Sequence, residues 1–276
     1  MLENQLLNTI SQQVHELHNK ISSLFIGFGI DPMPNSIAAM EMSSADPETV
    51  MTAHGNGSLL IEVASDNLSA FSREINEPVL PFALCANIRS VLEAASISVW
   101  LLDKNITINE RISRSYAFRC NGLEQKIRWA IATKFPVEIE DSKKRYQEVI
   151  RKAEAIGITK VNKSGKTILK DQMPTTTDMV RNQLHEEAAY RLLSAMTHAE
   201  HWVLLALGYE TGAKIPYGRL IRKTLKIESI DYLALVGLNA FQKQIMCKCR
   251  LFGWPVEGIE TAFTDAKKAI PYYFES

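Results

Sequence analysis

The sequence predicts an all-α protein: an up-and-down helical bundle with an N-terminal helical subdomain and one small β-hairpin. Three observations carry that expectation. With 276 residues, 46% of them hydrophobic and 22% charged, the chain can bury one large core or two modest ones. Apolar residues recur at spacings of three and four through most of it. Only one stretch, residues 158–170, alternates apolar and polar residues as a strand pair does. Disorder, collagen and short disulfide scaffolds are excluded.

The elements follow in order. Leu2, Leu6, Leu7, Ile10, Val14, Leu17, Ile21 and Leu24 form the apolar stripe of a first helix ending near Gly27. Residues 27–46 are rich in Gly, Pro and Ser and read as a linker or covering loop. Asp46 caps a helix with Pro47 at its first position, running to about Ile75 with a break expected at His54–Gly57. The stretch from Phe82 to Asp103 is apolar nearly all round, which makes it the central helix. Thr107 or Asn109 starts the next, and a polar helix after it is closed by Gly157. An Asn-Lys-Ser-Gly turn then joins the two strands of the hairpin. Residues 178–207 contain no Gly or Pro and read as one long helix, or as two broken near Glu186. A connector (208–220), a helix over 229–252 stopped by Gly253 and Pro255, and a last amphipathic helix complete the chain. The boundary falls between an N-terminal helical region, 1–76, and a bundle over 77–276 that carries the hairpin.

Lys+Arg and Asp+Glu both total 31, so nothing global points to a polyanion or a membrane surface. Locally the balance is uneven. Residues 1–80 hold two basic residues against ten acids, whereas residues 143–180 hold nine against four. Lys143, Lys144, Arg145, Lys163 and Lys166 are the candidate nucleic-acid contacts in that basic stretch. The four cysteines sit in no paired spacing and read as reduced thiols. The start lacks a basic segment followed by an apolar one, which points to a soluble, cytosolic chain with no membrane partner.

Other signals carry less. Ser164-Gly165-Lys166-Thr167 looks like the end of a phosphate-binding loop, but the preceding glycine, strand and following helix are missing. Cys247 and Cys249, two apart on a helix, point to different faces and read as core filler. His15 and His18 share a face without a third ligand nearby, so no metal and no cofactor is expected. Trp100, Trp129 and Trp202 leave open a small-molecule pocket between helices.

The residues with the most chemistry are Arg191 and His198, seven apart, which a continuous helix returns to nearly one azimuth. Ser194 lies between them on that face, Tyr190 is one residue off it, and His201 extends it. A permanently charged guanidinium beside an imidazole suits phosphodiester chemistry: the first neutralises the phosphate and the second moves a proton to or from a ribose hydroxyl. The same residues also fit a structural network, in which Glu93 partners Arg191 or pairs with Arg89.

The helix Tyr190-Arg191-Leu192-Leu193-Ser194 followed by Thr197-His198-Ala199 resembles the HEPN superfamily, the higher eukaryote and prokaryote nucleotide-binding proteins, in an uncharacterised bacterial branch. Arg89-Ser90-Val91-Leu92-Glu93-Ala94 with Trp100-Leu101-Leu102-Asp103 resembles that branch's earlier helix. The resemblance implies a helical bundle, frequent homodimers, and metal-independent endoribonuclease activity in toxin, phage-defence or RNA-processing settings, under a regulatory protein in some. It makes Arg191 and His198 catalytic, with Tyr190, Ser194, His201, Arg89 and Glu93 in support and RNA as the partner. The alternative is a non-catalytic helical module that binds a partner protein or nucleic acid.

Overall fold

The computed structural model describes residues 2–44, 46–76, 79–223, 225–268 and 270. Eleven helices and two antiparallel strand pairs make up these residues. The central helix is α4 (Pro81–Leu102), as its all-round apolar sequence predicts. By length and composition it is the one described helix that would reach across a membrane, and it lies inside the bundle. Helix α3 (Pro47–Glu74) runs antiparallel along it: Ser98 Oγ donates to the Gly57 carbonyl at 2.8 Å at one end, and Asn87 donates to Glu74 at 2.6 Å at the other. Helices α8 (Glu187–Thr197) and α10 (Ile227–Phe252) pack on further sides of α4. Helices α1 (Leu2–Phe28) and α11 (Glu257–Lys268) complete this core, so the N-terminal helices and the later ones share one apolar interior. A second cluster joins Val50 and Trp100 to α5 (Ile108–Ala132), α6 (Pro136–Ala155) and Leu169.

Local chemistry sets most boundaries. Asp46 Oδ2 accepts from Thr49 N at 3.0 Å with Pro47 next to it, and Thr107 Oγ1 accepts from Glu110 N at 3.3 Å. The expected hairpin forms from β1 (Thr159–Val161) and β2 (Thr167–Leu169). Within its turn Asn162 Oδ1 accepts from the amides of Ser164 and Lys166, which rules out a phosphate loop there.

Four expectations change. Helix α3 is not interrupted at His54–Gly57. Gly57 is there because α3 and α4 touch: a Cβ on it would sit 2.5 Å from Leu102 Cγ. Gly57→Ala should therefore destabilise the fold by about 1–3 kcal/mol in thermal denaturation, although alanine is the better helix former. The supposed linker contains a short helix, α2 (Ile37–Ser44), started by Ser36, whose Oγ accepts from Ala39 N at 3.2 Å. The stretch 178–207 is broken near Glu186, the second of its two readings, and broken again at Ala199, which neither reading held. It comprises α7 (Thr176–Met179) with a π-helical turn (Val180–Leu184), then α8, then α9 (His201–Val203) with a second π turn (Leu204–Gly208). His185 and Ala199 bracket α8 in the left-handed region, at φ 64° and 55°. Lastly, the connector is a second hairpin, β3 (Tyr209–Ile215) with β4 (Gly218–Lys223).

Candidate functional site

Helix α8 carries the Arg191 and His198 pair on its outer side. The Arg191 side chain is 64% exposed, and its Nε donates to Glu187 Oε1 at 2.8 Å. Glu187 also takes the guanidinium of Arg181, whose other end holds Asp178 at 2.7 Å. Hydrogen bonds from these two arginines hold the Glu187 carboxyl down at about 2, so it stays ionised. His198 is exposed at the end of α8, its N–H closing the last turn onto the Ser194 carbonyl at 2.9 Å. Ser194 is half-buried between them. His201 does not extend this face, because the left-handed turn at Ala199 redirects the chain before α9 begins.

Three of the supporting residues, Arg89, Glu93 and Tyr190, come together, behind α8 rather than on its outer side. Glu93 Oε1 accepts from Arg89 Nε and from the Tyr190 hydroxyl, both at 3.0 Å, and Arg89 Nη1 donates to Thr197 Oγ1 at 2.6 Å. The Arg89 guanidinium lies over the Tyr190 ring at 5.8 Å. Burial, then the Glu93 charge, pushes the Tyr190 hydroxyl above its ordinary range. This network pins α8 to α4. Glu93 is thus spent on Arg89 and Tyr190, and the expected Glu93–Arg191 pairing is replaced by Arg191–Glu187.

Beside Arg191 opens a cavity of about 580 Å3 between α4, α8 and α10. Leu192, Met196, Leu207, Leu225 and Leu233 wall it, with Trp202 and Glu228 among its lining. The other two tryptophans lie elsewhere: Trp100 is buried in the second core with Arg114 5.3 Å from its ring, and Trp129 stacks on Phe135 at 6.2 Å. Cys85, also in the cavity wall, has its thiol pushed up to about 11 by burial, which keeps it protonated and unreactive.

The basic stretch is divided between two elements that touch. On α6, Lys143 pairs with Glu140 at 3.0 Å and Arg145 with Asp141 at 2.9 Å, while Lys144 is exposed. On the first hairpin Lys163 is exposed in the turn, and Lys166 reaches back over the Tyr146 ring of α6 at 5.6 Å. Arg145 also lines a cleft of about 420 Å3 with Arg119, Lys126, Lys152 and Glu148. The α5 cations of that cleft lie outside the stretch that sequence reading singled out.

A buried ionic cluster was missed altogether. Arg111, fully buried, donates through Nε to Glu41 Oε2 at 2.9 Å, through Nη1 to the Leu101 carbonyl at 2.8 Å and through Nη2 to the Asp103 carbonyl at 2.9 Å. His54 Nε2 lies 2.7 Å from Glu41 Oε2. The members come from four helices and the turn after α4, so no local pattern announces them. Among the described residues no three His, Cys, Asp or Glu side chains group as metal ligands, and His18 is engaged by Ser65 at 2.9 Å. No protein-family model matches the chain, and neither a curated protein nor a solved structure matches it.

Proposed function

We propose that this protein is a metal-independent endoribonuclease of the HEPN kind, cytoplasmic and homodimeric, serving as a toxin or phage-defence component. The observation that supports it is the exposure of Arg191 and His198 on α8, while a separate network of Arg89, Glu93, Tyr190 and Thr197 holds that helix in place. The network that fixes α8 on α4 uses neither Arg191 nor His198. Here stability rests on other residues, and the two side chains are open to a ligand.

In this reading Arg191 leaves Glu187 to neutralise the scissile phosphate. Neutral His198 takes the proton of the 2′-hydroxyl as that oxygen attacks phosphorus. The resulting imidazolium returns a proton to the departing 5′-oxygen, so the imidazole ends as it began. Ser194 holds a phosphate oxygen in this reading, a task the Tyr190 hydroxyl cannot share while it donates to Glu93. RNA is drawn by Lys144, Lys163, Lys166 and the α5–α6 cleft. The test is RNA degradation in EDTA by wild type and by Arg191→Ala/His198→Ala, both folded and of equal mass in solution. Cleavage should fall by at least about 100-fold in the variant; equal cleavage, or none by wild type, overturns the reading.

A second reading, a non-catalytic module binding a partner, is favoured by the apolar cavity beside Arg191 and by the Arg191–Glu187 pair. It gives no cleavage by either protein.

A further inference from the structure

The β3–β4 hairpin is an arm. Its base rests on the body through Tyr209, whose ring meets Phe82 at 5.9 Å, and every residue from 212 to 221 is exposed. Tyr217 at the tip is fully exposed, and Ile221 is 61% exposed. Residues 209–223 carry four basic residues (Lys214, Arg219, Arg222 and Lys223) against one acid, Glu210. A two-stranded ribbon standing alone is marginal in water, and both of its outer edges are unpaired. Such an arm needs a cover that is acidic and partly apolar.

Helix α3 offers the reciprocal surface. Met51, Leu59 and Val63 lie along its outer side at 58%, 67% and 46% exposure, with Glu62 and Asp66 exposed among them. Over its length α3 holds four acids against one base, the mirror of the arm. Among the described residues Lys214, Arg219 and Asp66 are in no ion pair, and Glu62 has the Lys248 charge nearby without a contact short enough for one.

We infer that the arm of one copy docks on the outer face of α3 of a second copy, with Tyr217 and Ile221 covering Met51, Leu59 and Val63, and Lys214 and Arg219 facing Glu62 and Asp66. Each copy carries one arm and one face, and the inference is that two copies exchange arms mutually, which closes the assembly as a two-fold dimer; head-to-tail growth into larger assemblies would overturn it. Opposite charge sets the register, and apolar contact excludes water from its centre. The inference deepens the dimer part of the reading above and is independent of cleavage, since its readout is mass.

The experiment measures the mass of the full chain in solution over a range of concentration and salt. Wild type should be a dimer that loosens as salt rises. Lys214→Glu/Arg219→Glu and Glu62→Lys/Asp66→Lys change only exposed residues, and circular dichroism confirms that both variants fold. Each alone should dissociate, weakened by at least about 100-fold through like-charge contact. Mixed together they should re-form a dimer, because each arm then meets a face of opposite charge. A monomeric wild type, dimers that survive both reversals, or variants that stay monomeric when mixed would overturn the inference. So would an arm that instead takes up RNA or anionic vesicles in a monomeric protein.

Discussion

Glu41→Ala should lower stability by about 3–5 kcal/mol, with a fall in Tm on the order of 10 °C. The substitution strands Arg111, a guanidinium with no exposure to water, beside two carbonyls, with the Asp103 carboxylate, to which it makes no ion pair, as its remaining counter-charge. His54 loses its acceptor in the same step. Removing both charges is the informative control: Glu41→Met/Arg111→Met should recover much of the loss, because a buried ion pair contributes little beyond an apolar pair of similar volume. A double variant as unstable as the sum of the singles would show that the cluster acts through its hydrogen bonds to Leu101 and Asp103. The pH dependence has a fixed sign. Burial raises the Glu41 carboxyl, but the His54 hydrogen bond and the Arg111 charge outweigh it and hold it below the usual carboxylate range. A depressed folded value means that the stability is fully present above the unfolded carboxylate range and is lost as pH falls through the folded value. Glu41→Gln should flatten that acid limb in thermal melts.

Asp231→Asn should do the reverse and stabilise the protein at neutral pH by about 3 kcal/mol. Both oxygens of this carboxylate are buried without a hydrogen-bond partner among the described residues, in the first turns of α10 and at 2% exposure. Burial, with a further contribution from Glu228, pushes it up to about 6 from an ordinary 3.8. The folded state therefore binds the proton more tightly than the unfolded chain does. Wild-type stability should fall as pH rises through about 4 to 6 and level off above that. The asparagine variant, a neutral mimic of the protonated acid, should lack this decline. Chemical denaturation at pH 4.5 and pH 7.5 separates the cases, and a variant no more stable than wild type at pH 7.5 would show that the charge is compensated.

What the sequence made legible was whatever depends on neighbours along the chain. Helical periodicity located α1, α4, α5 and α10, and the caps at Asp46, Thr107, Gly157 and Gly253 follow from turn chemistry within a few residues. The break before α8 was one of two readings of 178–207, whereas the one after it was illegible because Ala199 takes a left-handed conformation that glycine or asparagine usually marks. The second hairpin escaped because both of its faces are exposed, so its apolar residues show no alternation of inside and outside. At the site, the i, i+4 pair Arg89–Glu93 was readable and the partner of Arg191 was not. The choice between Glu187 and Glu93 depends on how α8 is turned against α4. Glu41, 70 residues from Arg111, is beyond any spacing rule.

The order in which the partners of α4 are synthesised adds a constraint of its own. Its antiparallel companion α3 precedes it and can cover one side at once, whereas α10 begins at Ile227, long after α4 ends at Leu102. At roughly 5–20 residues per second, the side of α4 meant for α10 waits on the order of ten seconds for its cover. During that interval the nascent chain presents an apolar helix covered only by the partners already made, α3 first and α8 later, and holding it soluble falls to them and to whatever chaperone meets it.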